Sequence, residues 1–320
     1  MATIEAAVAV LVPLAVSLPH VLPLHRVTPS LAALIWFCAL ALRALAAIGI
    51  AIFVVIYMPQ TGLYNAAAHA CWDEAVPLVA IHLGLSGHPL THAALVLPGL
   101  VMAGSVLWLL CGLFRAWVLL RRKLRRAVGE GPLGSTIIAD QAVVVGVTAL
   151  GRGRILVSDS ALGALDQAEI QASLSHELGH IERRHRPLLL LASVLGATGR
   201  LLPGTRAAER GLRFSLERDA DEYAVSRTRD PLALASAICK AATVRPAGAT
   251  GLSGEGAVLL RLDYLEGHAR RAGRTLERCT HVLALGSVLA VIALTATLPS
   301  WALAVPRSEH SLSDAGAHCH

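Results

Sequence analysis

The segment His176-Glu177-Leu178-Gly179-His180 combines two imidazoles and a carboxylate at a spacing that suits metal chemistry. His176 and His180 are four residues apart, so on a helix both rings project from one face and can share a metal ion. The neighbouring Glu177 can take a proton from a metal-bound water, whose pKa the ion lowers towards about 7. The pattern therefore predicts a zinc site in which Glu177 is the general base.

A zinc ion that activates water needs a third protein ligand and one open position. The best source is the acidic segment 215–224, where Glu217 and Asp221 are four residues apart on one helical face. We expect Glu217 to bind zinc and Asp221 to accept the other ring N–H of a ligand histidine, which fixes its tautomer. The alternative is a solvated acidic helix face, and Glu222 and Asp219 are the next candidates for the third ligand.

Three further side chains are candidates for stabilising the oxyanion that forms when water attacks a carbonyl group, and their spacing does not separate them. They are Tyr223, His185 and Arg213. His185 follows His180 by five residues, so we also interpret it as the end of the helix or as a side chain that supports a ligand histidine.

The elements around the pentapeptide have signals of their own. Segments 135–138, 142–147 and 154–158 are rich in β-branched residues and predict short strands. Asp166 and Glu169 have the spacing of a capping box, which predicts the start of a helix. Apolar residues at helical spacing continue that helix through the pentapeptide to about His185.

The composition is too apolar for an ordinary soluble enzyme, with a mean hydropathy of +0.59 and 55% hydrophobic residues. Four segments are long and apolar enough to cross a bilayer. We expect a mainly α membrane protein in which four transmembrane helices frame an inserted α+β zincin-like metallopeptidase domain. The spans are predicted at 6–24, 31–58, 93–120 and 281–303, and the domain at 121–280.

The distribution of lysine and arginine predicts the orientation of these spans. The basic run 121–126 follows the third span and is expected in the cytosol, whereas the loop 59–92 has no Lys or Arg and is expected outside. Both termini, including the tail 304–320, then lie outside and the protease domain lies in the cytosol. On this interpretation the pI of 9.3 reflects the basic residues that orient the spans. Direct binding of nucleic acid is not expected.

The apolar segment 187–203 could be mistaken for a fifth span, but it contains Arg200 and is at the lower limit of length. A single crossing here would place Glu217 on the opposite side of the membrane from His176 and His180. We therefore expect a buried or membrane-surface helix that packs beside the metal-binding helix.

The pentapeptide, followed by Glu217-Arg218-Asp219-Ala220-Asp221 in an E-x-x-A-D pattern, resembles the gluzincin membrane metallopeptidases. Two branches share these motifs: the antibiotic-sensor branch (BlaR/MecR type) and the heat-shock and CAAX-prenyl protease branch. The spans before the domain, the single span after it and the short link between the motifs favour the sensor branch.

The sensor resemblance implies a zinc endopeptidase that cleaves a cytosolic winged-helix repressor in signal transduction. It also implies that the strand Arg154, Ile155, Leu156, Val157 and Ser158 is the edge strand on which an extended substrate pairs. The penicillin-binding domain of the antibiotic sensors has no counterpart here, so direct β-lactam sensing is not expected. The alternative is a quality-control protease of membrane proteins; the intact Glu177 argues against a non-catalytic receptor.

Several other features leave their alternatives open. Arg43, within the second span, is either a functional intramembrane residue or the mark of a kink or snorkelling shift. Cys71 and Cys319 lie where a disulfide could persist, and a homo-oligomer is possible. Outside histidines and cysteines could bind a signalling metal, or histidine could simply replace Lys and Arg in a translocated loop. They are His69, Cys71, His82, His88, His92, His310, His318, Cys319 and His320.

Overall fold

The computed structural model describes residues 12–53, scattered helical residues between 100 and 118, and then 127–139, 145–147, 155–243, 255–265 and 273–303. This part of the chain is mostly helical with one small sheet. The strands are β1 (Ala127–Glu130), β2 (Thr136–Ile138), β3 (Val145–Val147) and β4 (Ile155–Ser158). The helices are α1 (Pro29–Ile52), α2 (Asp159–Ala164), α3 (Gln167–Glu182), α4 (His185–Thr198), α5 (Thr205–Thr228), α6 (Pro231–Thr243), α7 (Glu255–Leu265) and α8 (Arg274–Leu303).

The three predicted strands form, and β1 joins them to give a sheet in the order β1-β2-β4-β3. β4 pairs in parallel with β2 and antiparallel with β3, so that Val157 lies opposite Ile137 on one side and Val145 on the other. The prediction of an edge strand at Arg154, Ile155, Leu156, Val157 and Ser158 is therefore wrong. Leu156 and Val157 have partners on both sides, Ile155 pairs with β3 and Ser158 with β2, and Arg154 lies outside the described chain.

The burial of β4 explains this correction. All four of its residues are buried, and Ile155 and Val157 belong to a core cluster with Leu174 of α3. A strand with a near-continuous apolar sequence is typical of the inside of a sheet, where both faces are covered. Among the described strands, β1 and β3 form the two edges.

The capping box at the start of α3 is confirmed. The Asp166 carboxylate accepts from the Glu169 backbone N–H at 2.8 Å, and the Glu169 carboxylate accepts from the Asp166 N–H at 2.8 Å. Glu169 also accepts from Ser236 at 2.6 Å and Lys240 at 2.7 Å, both on α6. These contacts anchor the first turn of the helix that carries the pentapeptide.

Helix α3 ends earlier than predicted. Its last residue is Glu182, and Arg184 then takes a left-handed backbone conformation with φ of 53°. His185 therefore begins α4 and does not end α3.

Helices α4 and α5 form a hairpin that packs against α1. Their shared core includes Leu40 of α1, Ala192 of α4 and Leu212 of α5. The hairpin turn lies beside Arg43, whose guanidinium donates to the carbonyls of Pro203 at 3.1 Å, Ala39 at 3.0 Å and Val16 at 3.1 Å. Arg43 therefore joins α1 to the hairpin turn and to the N-terminal segment.

Two described helices, α1 and the part of α8 from Arg274 to Pro299, are long and apolar enough to cross a membrane. Packing partners follow the same order along both sequences: Ala284 shares a cluster with Ile35, Leu294 shares one with Leu42, and a Cβ added to Gly49 would lie 3.3 Å from Cδ2 of Leu298. The two helices therefore run parallel.

The other predicted spans are described only in part. Residues 12–17 are helical, but 3-10 turns follow at Leu18–His20 and Leu24–Arg26, so the first segment does not continue to residue 24 as one α-helix. Pro19 in the first turn explains the interruption. Most of the segment 93–120, together with the loop 59–92 and the tail 304–320, lies outside the described residues.

Candidate metal centre

The imidazoles of His176 and His180 on α3 and the carboxylate of Glu217 on α5 converge on one point. Nε2 of His176 lies 3.2 Å from Nε2 of His180 and 3.4 Å from Oε2 of Glu217, and Nε2 of His180 lies 3.8 Å from Oε1 of Glu217. Tetrahedral zinc with ligands at about 2.0–2.2 Å spaces its ligand atoms roughly 3.3–3.6 Å apart. The triangle therefore fits a zinc ion with one open position.

Close packing of α3 against α5 makes this triangle possible. A Cβ added to Gly179 would lie 3.1 Å from Cβ and Cδ1 of Tyr223, which is tighter than ordinary contact. Gly179, which lies between Leu178 and His180, has no side chain and thus lets the two backbones approach. A larger residue would hold the carboxylate of α5 away from the imidazoles of α3.

The carboxylate of Asp221, the expected partner of a ligand histidine, lies beside His176. Its Oδ1 lies 2.8 Å from Nδ1 of His176, and the carboxylate is completely buried. An ionised carboxylate only accepts protons, so Nδ1 of His176 carries a hydrogen. Once the ring has lost its second proton, Nε2 has a lone pair directed at Glu217 and His180.

Arg261 on α7 completes the charged part of the centre, and the sequence analysis missed it. Its Nε and Nη2 donate to the two carboxylate oxygens of Asp221 at 2.8 and 2.7 Å, while Nη1 lies 3.2 Å from Oε2 of Glu217. One guanidinium therefore holds both carboxylates of α5. No local signal separates Arg261 from the many other arginines of the chain, because its partners are 40 or more residues away.

The charges explain the titration of the metal-free centre. Burial lowers the pKa of His176, but the contacts with Asp221 and Glu217 outweigh it and raise this pKa to about 10. Burial and the nearby charge of His176 lower the pKa of His180 to about 4. Although burial opposes ionisation of Glu217, His176 and Arg261 hold its pKa well below the usual range. Without metal, the pair of histidines thus carries one positive charge at neutral pH.

Glu177 is half-buried on α3, next to the first ligand. Burial lowers the pKa of Arg261, but Asp221, Glu217 and Glu177 together raise it above the ordinary value. Glu177, the candidate base, therefore interacts electrostatically with the same guanidinium as Glu217, the candidate metal ligand.

The candidates for oxyanion stabilisation have other partners. His185 is buried, with Nδ1 2.9 Å from Nδ1 of His180 and Nε2 2.9 Å from Oδ2 of Asp219, so both ring nitrogens are engaged. The Tyr223 hydroxyl lies 3.2 Å from Nη1 of Arg227, one turn further along α5. These contacts do not support an oxyanion role for His185 or Tyr223, whereas the interpretation of His185 as support for a ligand histidine agrees with its position.

The remaining alternatives are also placed elsewhere. Arg213 reaches Ser193 of α4 at 3.5 Å. Glu222 accepts from the Tyr264 hydroxyl, and Asp219 pairs with Arg183 and His185. Of the acidic residues on α5 considered as third ligand, Glu217 is the one that the structure brings to the two histidines. The candidate outside ligands lie beyond the described residues: His69, Cys71, His82, His88, His92, His310, His318, Cys319 and His320.

Comparison with known proteins agrees with this geometry. Residues 139–253 match the model of Peptidase family M48, a range that includes the pentapeptide, Glu217 and Asp221 but not Arg261. No curated protein and no solved structure matches the chain. The family match and the three-residue cluster support a metallopeptidase of the gluzincin type, a class that generally depends on zinc.

Proposed function

We propose that the protein is an integral-membrane zinc endopeptidase that hydrolyses peptide bonds of a cytosolic protein. The observation that carries this proposal is the triangle formed by Nε2 of His176, Nε2 of His180 and the carboxylate of Glu217. Its edges of 3.2–3.8 Å suit a tetrahedral ion, and the family match covers the same residues.

The chain's residues have distinct roles in this mechanism. His176, His180 and Glu217 would hold the ion, which when bound would supply a Lewis acid that makes water a nucleophile near neutral pH. Glu177 accepts the proton of the attacking water and later gives it to the amine of the cleaved bond. Asp221 keeps His176 in the correct tautomer, and Arg261 keeps Asp221 ionised and in place.

We place the substrate on β3. Among the described strands it is the edge strand that packs near α3, through Val145 against the cluster of Leu174. No described strand pairs with the side of β3 that faces away from β4. An extended peptide can add to such an edge through its backbone, which gives affinity with little dependence on sequence.

The membrane location is supported by the two apolar helices and by their direction. α1 and α8 run parallel, and the metal centre is near the start of α1, where Nη1 and Nη2 of Arg218 lie 3.4 Å from the carbonyl of Val27. Two spans that leave the cytosol in the same direction would have the peptidase at their cytosolic ends, as the positive charge at 121–126 also predicts.

For the substrate, we propose a repressor-type cytosolic protein, with signal transduction as the role. The short link between the metal-binding helices supports this choice, because it favours the sensor branch, whose members cleave such a repressor. Within that link, α4 has 14 residues and spans only about 21 Å, too short to cross a bilayer. Damaged membrane protein, the substrate of a quality-control protease, is the other outcome of the test.

The test compares the purified wild type with Glu177→Gln, which keeps the shape of the base but cannot take a proton. Both proteins are incubated with a repressor encoded beside the gene and, separately, with an unfolded membrane protein. We expect one zinc per chain in both, and cleavage by the wild type alone. Equal cleavage by the two proteins contradicts the role of Glu177, and cleavage of only the membrane protein moves the substrate to the quality-control class.

A further inference from the structure

We infer that His185 and Asp219 act as positioning residues for the second zinc ligand, through a hydrogen-bonded chain from His180 to His185 to Asp219. This inference rests on the proposed zinc site and assigns it two residues. Neither residue supplies a ligand atom to the metal triangle; both act by fixing which nitrogen of His180 is offered to the ion.

The chain is buried and continuous. Nδ1 of His180 lies 2.9 Å from Nδ1 of His185, and Nε2 of His185 lies 2.9 Å from Oδ2 of Asp219. His185 is 3% exposed and Asp219 5% exposed. The other oxygen of Asp219, Oδ1, accepts a hydrogen bond from Arg183.

With one hydrogen on each imidazole, as metal binding requires of a ligand histidine, the hydrogen bonds of this series can run in a single direction. A carboxylate only accepts, so Nε2 of His185 carries its hydrogen and Nδ1 of that ring is an acceptor. His180 then donates through Nδ1, which leaves the lone pair on its Nε2. That nitrogen is the one that faces His176 and Glu217.

The helical geometry of α5 explains why His180 needs an intermediate residue. Asp221 and Glu217 share one face of α5, and Asp221 reaches His176 directly. Asp219 lies two residues from each of them, about 200° round the helix. The turn at Arg184 places His185 between His180 and Asp219. Asp219, on the other face of α5, can therefore still control the tautomer of His180.

Substitutions at His185 separate positioning from a merely structural role. Asparagine keeps an acceptor close to the Nδ1 position but cannot reach Asp219, glutamine keeps a donor for Asp219 but offers His180 no acceptor, and phenylalanine keeps only the volume. Zinc dissociation constants are measured on the full chain in detergent by chelator competition, with the visible spectrum of the Co²⁺ form as a second reading of ligand geometry.

We expect His185→Phe and His185→Gln to bind zinc about 10–100-fold more weakly than the wild type, the usual loss when a supporting partner of a metal ligand is removed. His185→Asn should remain close to the wild type, with an unchanged Co²⁺ spectrum. The reverse order, in which glutamine preserves binding and asparagine loses it, overturns the inference in favour of a role in pairing Asp219.

Asp219→Asn provides an independent test, because Arg183 orients the new amide. Arg183 requires the amide oxygen, so the NH₂ group faces His185 and reverses the chain, which leaves a proton on Nε2 of His180. Zinc binding should therefore weaken. Removing Arg183 in the same protein (Arg183→Ala with Asp219→Asn) lets the amide turn over and should restore binding, while Arg183→Ala alone has little effect.

The outcomes distinguish this inference from the proposed function. A double variant that binds zinc more weakly than Asp219→Asn, or a His185→Phe that binds as tightly as the wild type, overturns the positioning role alone. A wild type that binds no zinc overturns both. Circular dichroism and thermal unfolding of each metal-free variant show whether a loss of zinc is a loss of fold.

Discussion

Arg261 donates to both carboxylate oxygens of Asp221, with Nε 2.8 Å from Oδ2 and Nη2 2.7 Å from Oδ1. The pair joins α7 to the helix that carries the third ligand. It also connects the centre to a residue that the family match does not include. A forked pair of this kind gives geometric precision as well as attraction.

Loss of Arg261 should therefore destabilise the fold and weaken the metal site together. Arg261→Met leaves the buried charge of Asp221 without its partner, and we expect about 3–5 kcal/mol loss of unfolding free energy, as for other broken buried pairs. Arg261→Lys keeps the charge but not the forked pair of hydrogen bonds. Its stability and zinc affinity should lie between those of the wild type and of Arg261→Met. Denaturant unfolding and zinc affinity measure the effects; a Met variant with wild-type zinc affinity would contradict the contact between Arg261 and the metal-binding carboxylate.

Zinc binding should release one proton near neutral pH. The raised pKa of His176, about 10 without metal, means that its ring is protonated, whereas His180, with a pKa of about 4, is already neutral. Zinc requires the neutral ring, so affinity falls as pH falls, by about tenfold per pH unit for one proton. Below about pH 4 the protonation of His180 makes the dependence steeper.

Calorimetry in two buffers with different ionisation enthalpies measures this stoichiometry directly. One proton per zinc is expected throughout the neutral range. An affinity that is constant from pH 6 to 8 would show that His176 is neutral in the metal-free protein, and the assignment of its charge would be wrong.

Gly179→Ala should separate α3 from α5. The new methyl group would lie 3.1 Å from Tyr223, and overpacking of this kind costs about 1–3 kcal/mol. Because the displaced helix carries Glu217, zinc affinity should fall as well. Gly163→Ala on α2 is the matched control, since its Cβ meets nothing within 4 Å; equal effects of the two substitutions on unfolding would argue against close packing at Gly179.

Arg43 should matter for folding and not for zinc binding. Arg43→Met leaves the carbonyls of Pro203, Ala39 and Val16 without this donor, and a buried polar group left unsatisfied costs about 1–3 kcal/mol. The measured quantity is the thermal unfolding temperature in detergent, with zinc affinity as the control. A variant that folds normally but loses peptidase activity would instead support the functional alternative for this residue.

Much of the centre could be predicted because its signals are local. Helical spacing accounts for His176 and His180 on one face, and for Glu217 and Asp221 on another. The capping box at Asp166 is confirmed for the same reason, since its two hydrogen bonds span three residues.

The errors arose where one short pattern suits two environments. Segment 155–158 is apolar and β-branched, which identifies a strand but not its place in the sheet; the partners on both sides, β2 and β3, settle that. Similarly, His185 can end one helix or begin the next, and the left-handed turn at Arg184 decides between them.

The sequence by itself therefore determined the pentapeptide, the pattern that makes Glu217 and Asp221 candidates, and the helix start, because each pattern lies within one or two helical turns. Only the tertiary structure decided that β4 is interior, that Arg261 holds both carboxylates, and that His185 joins His180 to Asp219. Those contacts connect residues 34–44 positions apart or separate elements. Their physical cause is the packing of α3, α5 and α7 around one buried set of charges, which the order of residues along the chain does not display.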